Sequence, residues 1–117
     1  FRSLAVRVEE RLLDAVTGLT GSGPAYLFYV AEALVAAGIA EGLDPATADA
    51  LVRQLLLGAG TLLASSDESP GKLRENVTSP NGTTAAGLAA LDAAGGAAAI
   101  GAAVRAATAR SIELGRG

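Results

Sequence analysis

The sequence predicts an all-α protein, and three observations support that fold class. Apolar residues recur three and four positions apart over several long stretches, which is the spacing of one helix face. Proline and glycine fall between these stretches, where helices start and end. No pair of runs alternates between apolar and polar residues as strands do. Half of the residues are hydrophobic, so the chain is expected to fold rather than remain disordered.

The first helix is predicted over Arg11–Val16, because two glutamates precede it and acidic side chains stabilise a helix N-terminus. The glycines that follow Val16 are expected to end it. The short apolar stretch Leu4–Val8 is typical of the last strand of an upstream domain. We therefore assign residues 1–8 to the end of such a domain or to a linker, and residues 9–117 to one helical domain.

The second helix is predicted to start at Pro24, with Ser22 as its cap. Proline is well tolerated at the first helical position, where its missing N–H has no helical partner to lose. The helix is expected to end near Gly38 or Gly42. Its apolar residues cover most of its faces, which is typical of a central, buried helix.

The third helix begins at Asp44-Pro45, an N-cap residue followed by a proline at the first helical position. Its apolar residues follow one face, which predicts a long amphipathic helix that ends at about Ala64. Three further helices are expected over Lys72–Asn76, from Thr83 or Thr84 to Ala93, and over about Ala98–Leu114.

Composition and charge exclude several classes of function. The net charge is −3 and the basic residues are scattered, so nothing indicates nucleic-acid binding. Cysteine and histidine are absent, which excludes the usual zinc site, a thiolate nucleophile, a disulfide and an imidazole base. We expect no metal. Any chemistry has to use hydroxyls, carboxylates, amines or backbone amides.

Two apolar stretches approach the length of a membrane span. Ala25–Ala40 is shorter than the roughly 20 residues that a span needs, and it contains Glu32. Ala85–Val104 is longer but is interrupted by Asp92 and two glycines. No signal peptide is recognisable at the start of the sequence. We therefore expect a soluble, cytoplasmic protein that binds no membrane.

The apolar residues are mostly alanine, leucine and valine, and only four residues are aromatic: Phe1, Tyr26, Phe28 and Tyr29. Small side chains bury little apolar area each, so the core of one copy is expected to be thin. The same small side chains allow helices to approach closely. Packing against a second copy of the chain is therefore our hypothesis for how the apolar surface is covered.

Residues 20–24, TGSGP, form the first segment that differs from a plain connector. They are not a dinucleotide-binding loop, because a third glycine is missing and the preceding residues are predicted to be helical. A glycine-rich backbone before a helix start can approach a ligand closely. It can equally be an ordinary turn between helices, and the spacing alone does not decide between the two.

Residues 78–84, TSPNGTT, form the second such segment. Hydroxyls and a glycine precede an apolar helix, whose free N–H groups and positive dipole end favour a carboxylate. Serine and threonine also cap helices routinely. The segment is therefore either an anion-binding site or a simple N-cap.

These two segments resemble signatures of the pyrroline-5-carboxylate reductase family. Residues 13–26, LDAVTGLTGSGPAY, are similar to the entry of the family's C-terminal domain, and residues 76–88, NVTSPNGTTAAGL, to its second signature. The resemblance implies an all-α bundle that interlocks with a second copy as a homodimer or higher homo-oligomer. It also implies an upstream Rossmann domain that binds NADPH or NADH.

The activity that the resemblance implies is reduction of 1-pyrroline-5-carboxylate to L-proline, in proline biosynthesis. By motif, Thr84 would be the catalytic residue and hydrogen-bond the ring nitrogen. Ser79 and the backbone N–H groups of Gly82, Thr83 and Thr84 would hold the substrate carboxylate. The expected cofactor contacts are Asn76, Val77, Ser22 and Gly23. Without the Rossmann domain, the chain by itself is expected to be inactive.

The sequence departs from the family's pattern at three positions. Asn81 stands where the family usually has glycine, which can alter the turn that positions Thr84. Ala97 and Ser69 replace a frequent phenylalanine and histidine. Two alternatives remain open: the helical domain of another NAD(P)-dependent dehydrogenase, and a non-catalytic dimerisation module. The first predicts a lysine in the catalytic helix, whereas the only lysine, Lys72, lies outside the long predicted helices.

Overall fold

The computed structural model describes residues 5–116, and every regular element within that range is helical, which confirms the predicted fold class. In chain order the elements are a 3-10 turn at Glu10–Leu12, α1 at Leu13–Val16, a π turn at Thr17–Gly21, α2 at Gly23–Ala40, α3 at Pro45–Ser65, α4 at Pro70–Asn76, α5 at Thr83–Ala93 and α6 at Gly96–Arg116. The helix starts at prolines are therefore confirmed within a residue or two.

The chain divides into two compact units, which are described separately. The first unit contains the described residues up to Tyr26 and those from Gly95 onward. The second unit is Leu27–Ala94. The assignment of residues 1–8 to an upstream domain or linker remains a prediction.

The strand expected at Leu4–Val8 is not formed over residues 5–8, which have no regular secondary structure, and Leu4 lies outside the described residues. A strand needs a neighbouring strand to satisfy its backbone N–H and C=O groups. Within the described residues no such neighbour exists, because all regular elements are helical.

The predicted helix break at Gly18 and Gly21 is wrong, because the chain stays helical there as a π turn. The Ser22 N–H donates to the Thr17 carbonyl at 2.9 Å, the five-residue spacing of a π turn. Gly18 is buried, and α6 packs against this turn. Helix propensity alone predicts a break at glycine. Here α6 approaches Gly18 so closely that a residue with a Cβ would not fit, which explains a glycine inside a helical segment.

The first unit is held together by side chains that reach across its elements. The Tyr26 hydroxyl donates to the Gly18 carbonyl at 2.8 Å, and it also lies 3.4 Å from the Ala103 carbonyl on α6. The Ser111 hydroxyl donates to the Asp14 carboxylate at 2.7 Å. These contacts tie α1, the π turn and the start of α2 to α6.

In the second unit, α2 ends in a left-handed glycine. Gly42 has a φ of +105°, its N–H donates to the Ile39 carbonyl, and the Leu43 N–H donates to the Gly38 carbonyl, both at 3.0 Å. This pair of bonds is the Schellman arrangement, in which a glycine after the helix supplies the positive φ. It confirms the predicted end of the helix near Gly42.

The next two helices of the second unit begin at side-chain caps. Asp44 accepts a hydrogen bond from the Thr47 N–H at 3.0 Å at the start of α3, and Ser69 accepts one from the Lys72 N–H at 3.1 Å at the start of α4. Both caps precede a proline at the first helical position. The cap predicted at Asp44 is therefore confirmed.

Burial of α2 is not achieved within one chain. The sequence predicts a central, buried helix, but none of its residues is buried in the structure. The buried hydrophobic residues of the described chain are Ala48 and Val52, both on α3. The prediction is wrong for a single copy, because much of the apolar surface of α2 stays exposed among the described residues.

By length and composition, the continuous helical stretch Glu10–Ala40 is apolar enough to cross a membrane. This stretch is longer than the sequence predicts, because the chain stays helical through Thr17–Gly21. Thr83–Ala93 and Gly96–Gly115 meet the same criterion only when they are taken together. Apolar helices of soluble proteins meet it as well, so this property does not identify a membrane protein.

Candidate functional site

The candidate site is the loop between α4 and α5 together with the first turn of α5, all within the second unit. The loop begins where α4 ends. The Thr78 hydroxyl donates to the Arg74 carbonyl at 2.6 Å, and the Thr78 N–H donates to the Glu75 carbonyl at 3.0 Å. Thr78 thus closes the last turn of α4, which leaves the other hydroxyls of the loop for other roles.

The loop then reverses direction in a tight turn from Ser79 to Gly82. The Gly82 N–H donates to the Ser79 carbonyl at 3.1 Å. Pro80 occupies the second position, and Asn81 the third, with a φ of +60°. A proline followed by a residue of positive φ is the pattern of a type II turn. The substitution of Asn for the usual Gly therefore keeps the turn, because Asn tolerates the left-handed conformation.

Helix α5 starts without a side-chain cap. Its N-cap residue is Gly82, which has no side chain that could cap the helix. The Gly82 carbonyl accepts the first helical hydrogen bond, from the Ala86 N–H at 3.2 Å. The N–H groups of Thr83, Thr84 and Ala85 precede that bond and have no helical partner. Of the two interpretations of this segment, capping of α5 by a hydroxyl is thus wrong for the described residues.

The substrate-site residues named from the sequence lie in this one short segment. Ser79 is in the turn, Gly82 is the N-cap, and Thr83 and Thr84 open α5. The side chains of Ser79, Thr83 and Thr84 are exposed, so their hydroxyls are accessible to a ligand. The structure therefore brings these four residues together. The Gly82 N–H, which was expected to bind the carboxylate, instead donates to the Ser79 carbonyl, so the free N–H groups begin at Thr83.

The residues named for the cofactor fall in two places. Asn76 ends α4 and Val77 follows it, and both are exposed beside the loop. Ser22 and Gly23 belong to the other compact unit, where the π turn meets α2. Ser22 is half-buried, and its carbonyl accepts a hydrogen bond from the Ala25 N–H at 3.1 Å.

Two structural features near these segments were not predicted from the sequence: the positive φ of Asn81 and the hydrogen bond from Tyr26 to Gly18. The Pro-Asn-Gly order predicts a positive φ at Asn81, because that is the turn's third position, so this signal was available. The hydrogen bond from Tyr26 to Gly18 had no local signal, since it depends on the π turn that exposes the Gly18 carbonyl.

The chemistry of the loop is that of an anion site without an acid–base group. Residues 77–84 contain hydroxyls, an amide and backbone N–H groups but no ionisable side chain. The helix N-terminus adds a partial positive charge. Within the described residues no group of three or more Asp or Glu side chains is placed to hold a metal ion. The segment can therefore bind and orient a carboxylate rather than donate protons to it.

Fold and site together define an all-helical domain with an uncapped helix start and extensive exposed apolar surface. Residues 10–114 match the family described as pyrroline-5-carboxylate reductase dimerisation. The chain belongs to this family. The alternative of a helical domain from another dehydrogenase family is not supported by this match.

Individual relatives agree with this assignment. The chain is 49% identical over 111 residues to pyrroline-5-carboxylate reductase from Synechocystis, an alignment that covers 95% of this chain and 42% of that protein. A pyrroline carboxylate reductase from Plasmodium falciparum, solved with NADP bound, matches with a TM-score of 0.87 and 33% identity over 92% of this chain and 41% of the other. A pyrroline-5-carboxylate reductase from Coxiella burnetii matches with a TM-score of 0.88 and 36% identity. This match covers 92% of this chain and 40% of the other.

The chain thus spans less than half the length of the proteins that it matches. Membership of a family whose relatives are named as reductases favours a soluble protein over a membrane protein.

Proposed function

We propose that this chain is the dimerisation and substrate-binding domain of a cytoplasmic pyrroline-5-carboxylate reductase, which reduces 1-pyrroline-5-carboxylate to L-proline with NADPH or NADH. The observation that carries the proposal is the uncapped start of α5 beside exposed hydroxyls, in a chain that is 49% identical to a reductase of that name. The chain by itself is expected to bind substrate weakly and to be inactive.

The substrate carboxylate binds at the start of α5. Backbone N–H groups of Thr83, Thr84 and Ala85 have no helical acceptor, and a carboxylate supplies one. The hydroxyl of Ser79, in the adjoining turn, donates a further bond. Several such bonds to one carboxylate fix the orientation of a small ring as well as its position.

Thr84 hydrogen-bonds the ring nitrogen of the imine. Its hydroxyl is on the first turn of α5, so one short segment contacts both the carboxylate and the nitrogen. The protonated imine is already an electrophile, so the reaction requires no metal and no imidazole. Because the pKa of an alkyl hydroxyl lies far above 7, Thr84 orients the nitrogen or relays a proton through water rather than acting as a general acid.

The nicotinamide cofactor, when bound, supplies the hydride. Asn76 and Val77 fit the nicotinamide end, because an exposed amide beside an exposed apolar side chain suits a carboxamide-bearing ring. Ser22 and Gly23 are proposed as the further contacts. Gly23 supports this role because a Cβ there would meet no atom within 4 Å, which leaves its backbone open to a ligand.

The partner is a second copy of this chain. In the second unit a groove between α2 and α3 is lined largely by apolar side chains, among them Phe28, Val35, Val52 and Leu56. Phe28 is 68% exposed, a large apolar side chain that one copy leaves in water. Soluble proteins rarely leave such continuous apolar surface uncovered. A homodimer, or a higher oligomer built from it, buries these faces.

The test is a reductase assay on the intact protein that carries this chain. Thr84→Val keeps the size of the side chain but removes the hydroxyl, and we expect kcat/KM for the imine to fall roughly 10- to 100-fold, the range for a hydrogen bond to a charged group. Ser79→Ala is expected to raise KM for the imine more than it lowers kcat. Thr61→Val, at an exposed threonine of α3, is the matched control.

Two outcomes contradict the proposal. The first is an intact wild-type protein that oxidises neither NADPH nor NADH in the presence of 1-pyrroline-5-carboxylate. The second is a Thr84→Val variant whose kinetic constants equal those of Thr61→Val.

A further inference from the structure

The turn before α5 depends on an unusual backbone conformation. Among the described residues, Asn81 is the one residue other than glycine with a positive φ, at +60°. It is followed at once by Gly82, whose N–H closes the turn onto the Ser79 carbonyl at 3.1 Å. The conformation of Asn81 thus determines where Ser79 lies relative to the start of α5.

The turn has little room to rearrange. A Cβ on Gly82 would lie 3.3 Å from the Ser79 carbonyl oxygen and 3.5 Å from the Ser79 Cβ. A side chain at Gly82 would therefore crowd Ser79, which shows how closely the hydrogen-bonded turn brings Ser79 to the start of α5. A residue that resists positive φ at position 81 has to open this turn. The strain cannot be relieved at position 80, because the proline ring fixes the φ of Pro80.

We propose that Asn81 is a positioning residue for the substrate carboxylate. By adopting the left-handed conformation it holds the Ser79 hydroxyl beside the free N–H groups that begin at Thr83, so the carboxylate donors are arranged before the substrate binds. Its contribution comes from its backbone conformation and not from its amide side chain. This inference rests on the proposed function, since it assigns a role within the same site.

The physical reason is preorganisation. A binding site whose donors already stand in place loses less conformational entropy when the ligand arrives. Asparagine enters the left-handed region more readily than other non-glycine residues, and glycine enters it without steric cost. Alanine resists that region, and a β-branched residue such as valine resists it more strongly.

The experiment compares Asn81→Gly, Asn81→Ala and Asn81→Val in the intact protein, with KM for the imine, KM for the cofactor and kcat measured separately. We expect Asn81→Gly to keep the wild-type KM for the imine. Asn81→Ala should raise it roughly 5- to 30-fold, the factor that corresponds to the cost of a left-handed alanine. Asn81→Val should raise it at least as much, while KM for the cofactor stays unchanged.

A matched control separates positioning from general loss of stability. Gly42 also has a positive φ, of +105°, but it lies at the end of α2. Gly42→Ala introduces comparable backbone strain there, and we expect it to lower Tm without changing KM for the imine. Binding of L-proline measured by calorimetry gives a second readout that needs no turnover, and it should weaken in Asn81→Ala and remain in Asn81→Gly.

Specific results overturn the inference. One is an Asn81→Ala variant with wild-type KM and wild-type affinity for L-proline. Another is an Asn81→Gly variant as impaired as Asn81→Ala, which would assign the effect to the amide side chain. An inactive wild-type protein that also fails to bind L-proline contradicts the proposed function instead, so the two failures are distinguishable.

Discussion

Gly18 on the π turn lies against the backbone of Thr108 on α6, with no space between them for a side chain. A Cβ at Gly18 would lie 2.9 Å from the Thr108 backbone nitrogen and 2.9 Å from the Val104 carbonyl oxygen. The Val104 carbonyl already accepts a hydrogen bond from the Thr108 hydroxyl at 2.8 Å. Because the contacts involve backbone atoms, a side chain at Gly18 displaces α6 rather than a flexible neighbour.

Gly18→Ala is therefore expected to destabilise the protein despite the higher helix propensity of alanine. The overpacking should lower the free energy of unfolding by about 1–3 kcal/mol, measured by chemical denaturation. Gly58→Ala is the control, because a Cβ there meets nothing within 4 Å in this chain and propensity alone should act. Equal effects of the two substitutions would contradict the close packing of the π turn on α6.

Tyr26→Phe removes the hydroxyl that donates to the Gly18 carbonyl at 2.8 Å. The hydrogen bond is partly buried, so water replaces the hydroxyl only in part. We expect a loss of about 1 kcal/mol in the free energy of unfolding. Tyr29→Phe, at a side chain that is 73% exposed, should leave stability unchanged. A neutral Tyr26→Phe would mean that the hydrogen bond contributes nothing net.

Asp44 couples the stability of α3 to pH. The hydrogen bond from the Thr47 N–H, with a second from the Thr47 hydroxyl, lowers the pKa of Asp44 below its ordinary value of 3.8. Since the pKa is lower in the folded state, the stabilisation is fully present above the unfolded pKa. It is lost as pH falls through the folded pKa.

Asp44→Asn tests this coupling, because asparagine caps a helix about as well as aspartate but does not titrate. Thermal unfolding from pH 6 down to about pH 2 should show a larger fall in Tm for the wild type than for Asp44→Asn. Asp44→Ala should be less stable than Asp44→Asn at every pH. Parallel Tm curves for the wild type and Asp44→Asn would show that the Asp44 carboxylate does not titrate with folding.

Phe28→Asp should dissociate the proposed dimer. Phe28 lines the apolar groove of the second unit, and a charge that is buried there without a partner costs more than the lost apolar area. In a two-fold dimer the substitution acts twice, so we expect the dissociation constant to rise by at least roughly 100-fold. Analytical ultracentrifugation measures it. Gln54→Asp adds the same charge at an exposed polar position of α3.

For this prediction, a wild-type chain that sediments as a monomer at high concentration contradicts the proposed partner. If both Phe28→Asp and Gln54→Asp stay dimeric, the dimer stands, but the proposal that the groove between α2 and α3 lies in its interface is contradicted.

Local signals in the sequence determined where most helices begin. Asp44 before Pro45 defines the start of α3 because a side-chain cap and a fixed φ act within four residues. Gly42 ends α2 for an equally local reason, the positive φ that its missing Cβ allows. The hydroxyls and glycine before an apolar stretch also predicted the loop over residues 78–82 and the start of α5 at Thr83.

Only the tertiary structure decided the features that depend on distant residues. The sequence predicts that Gly18 breaks a helix, whereas the approach of Thr108, ninety positions further along the chain, makes it part of a π turn. The sequence also predicts a buried α2, yet none of its residues is buried in the described part of the chain. Helix starts are set by hydrogen bonds a few residues apart, but burial and close packing depend on which surfaces meet, and that information is not local.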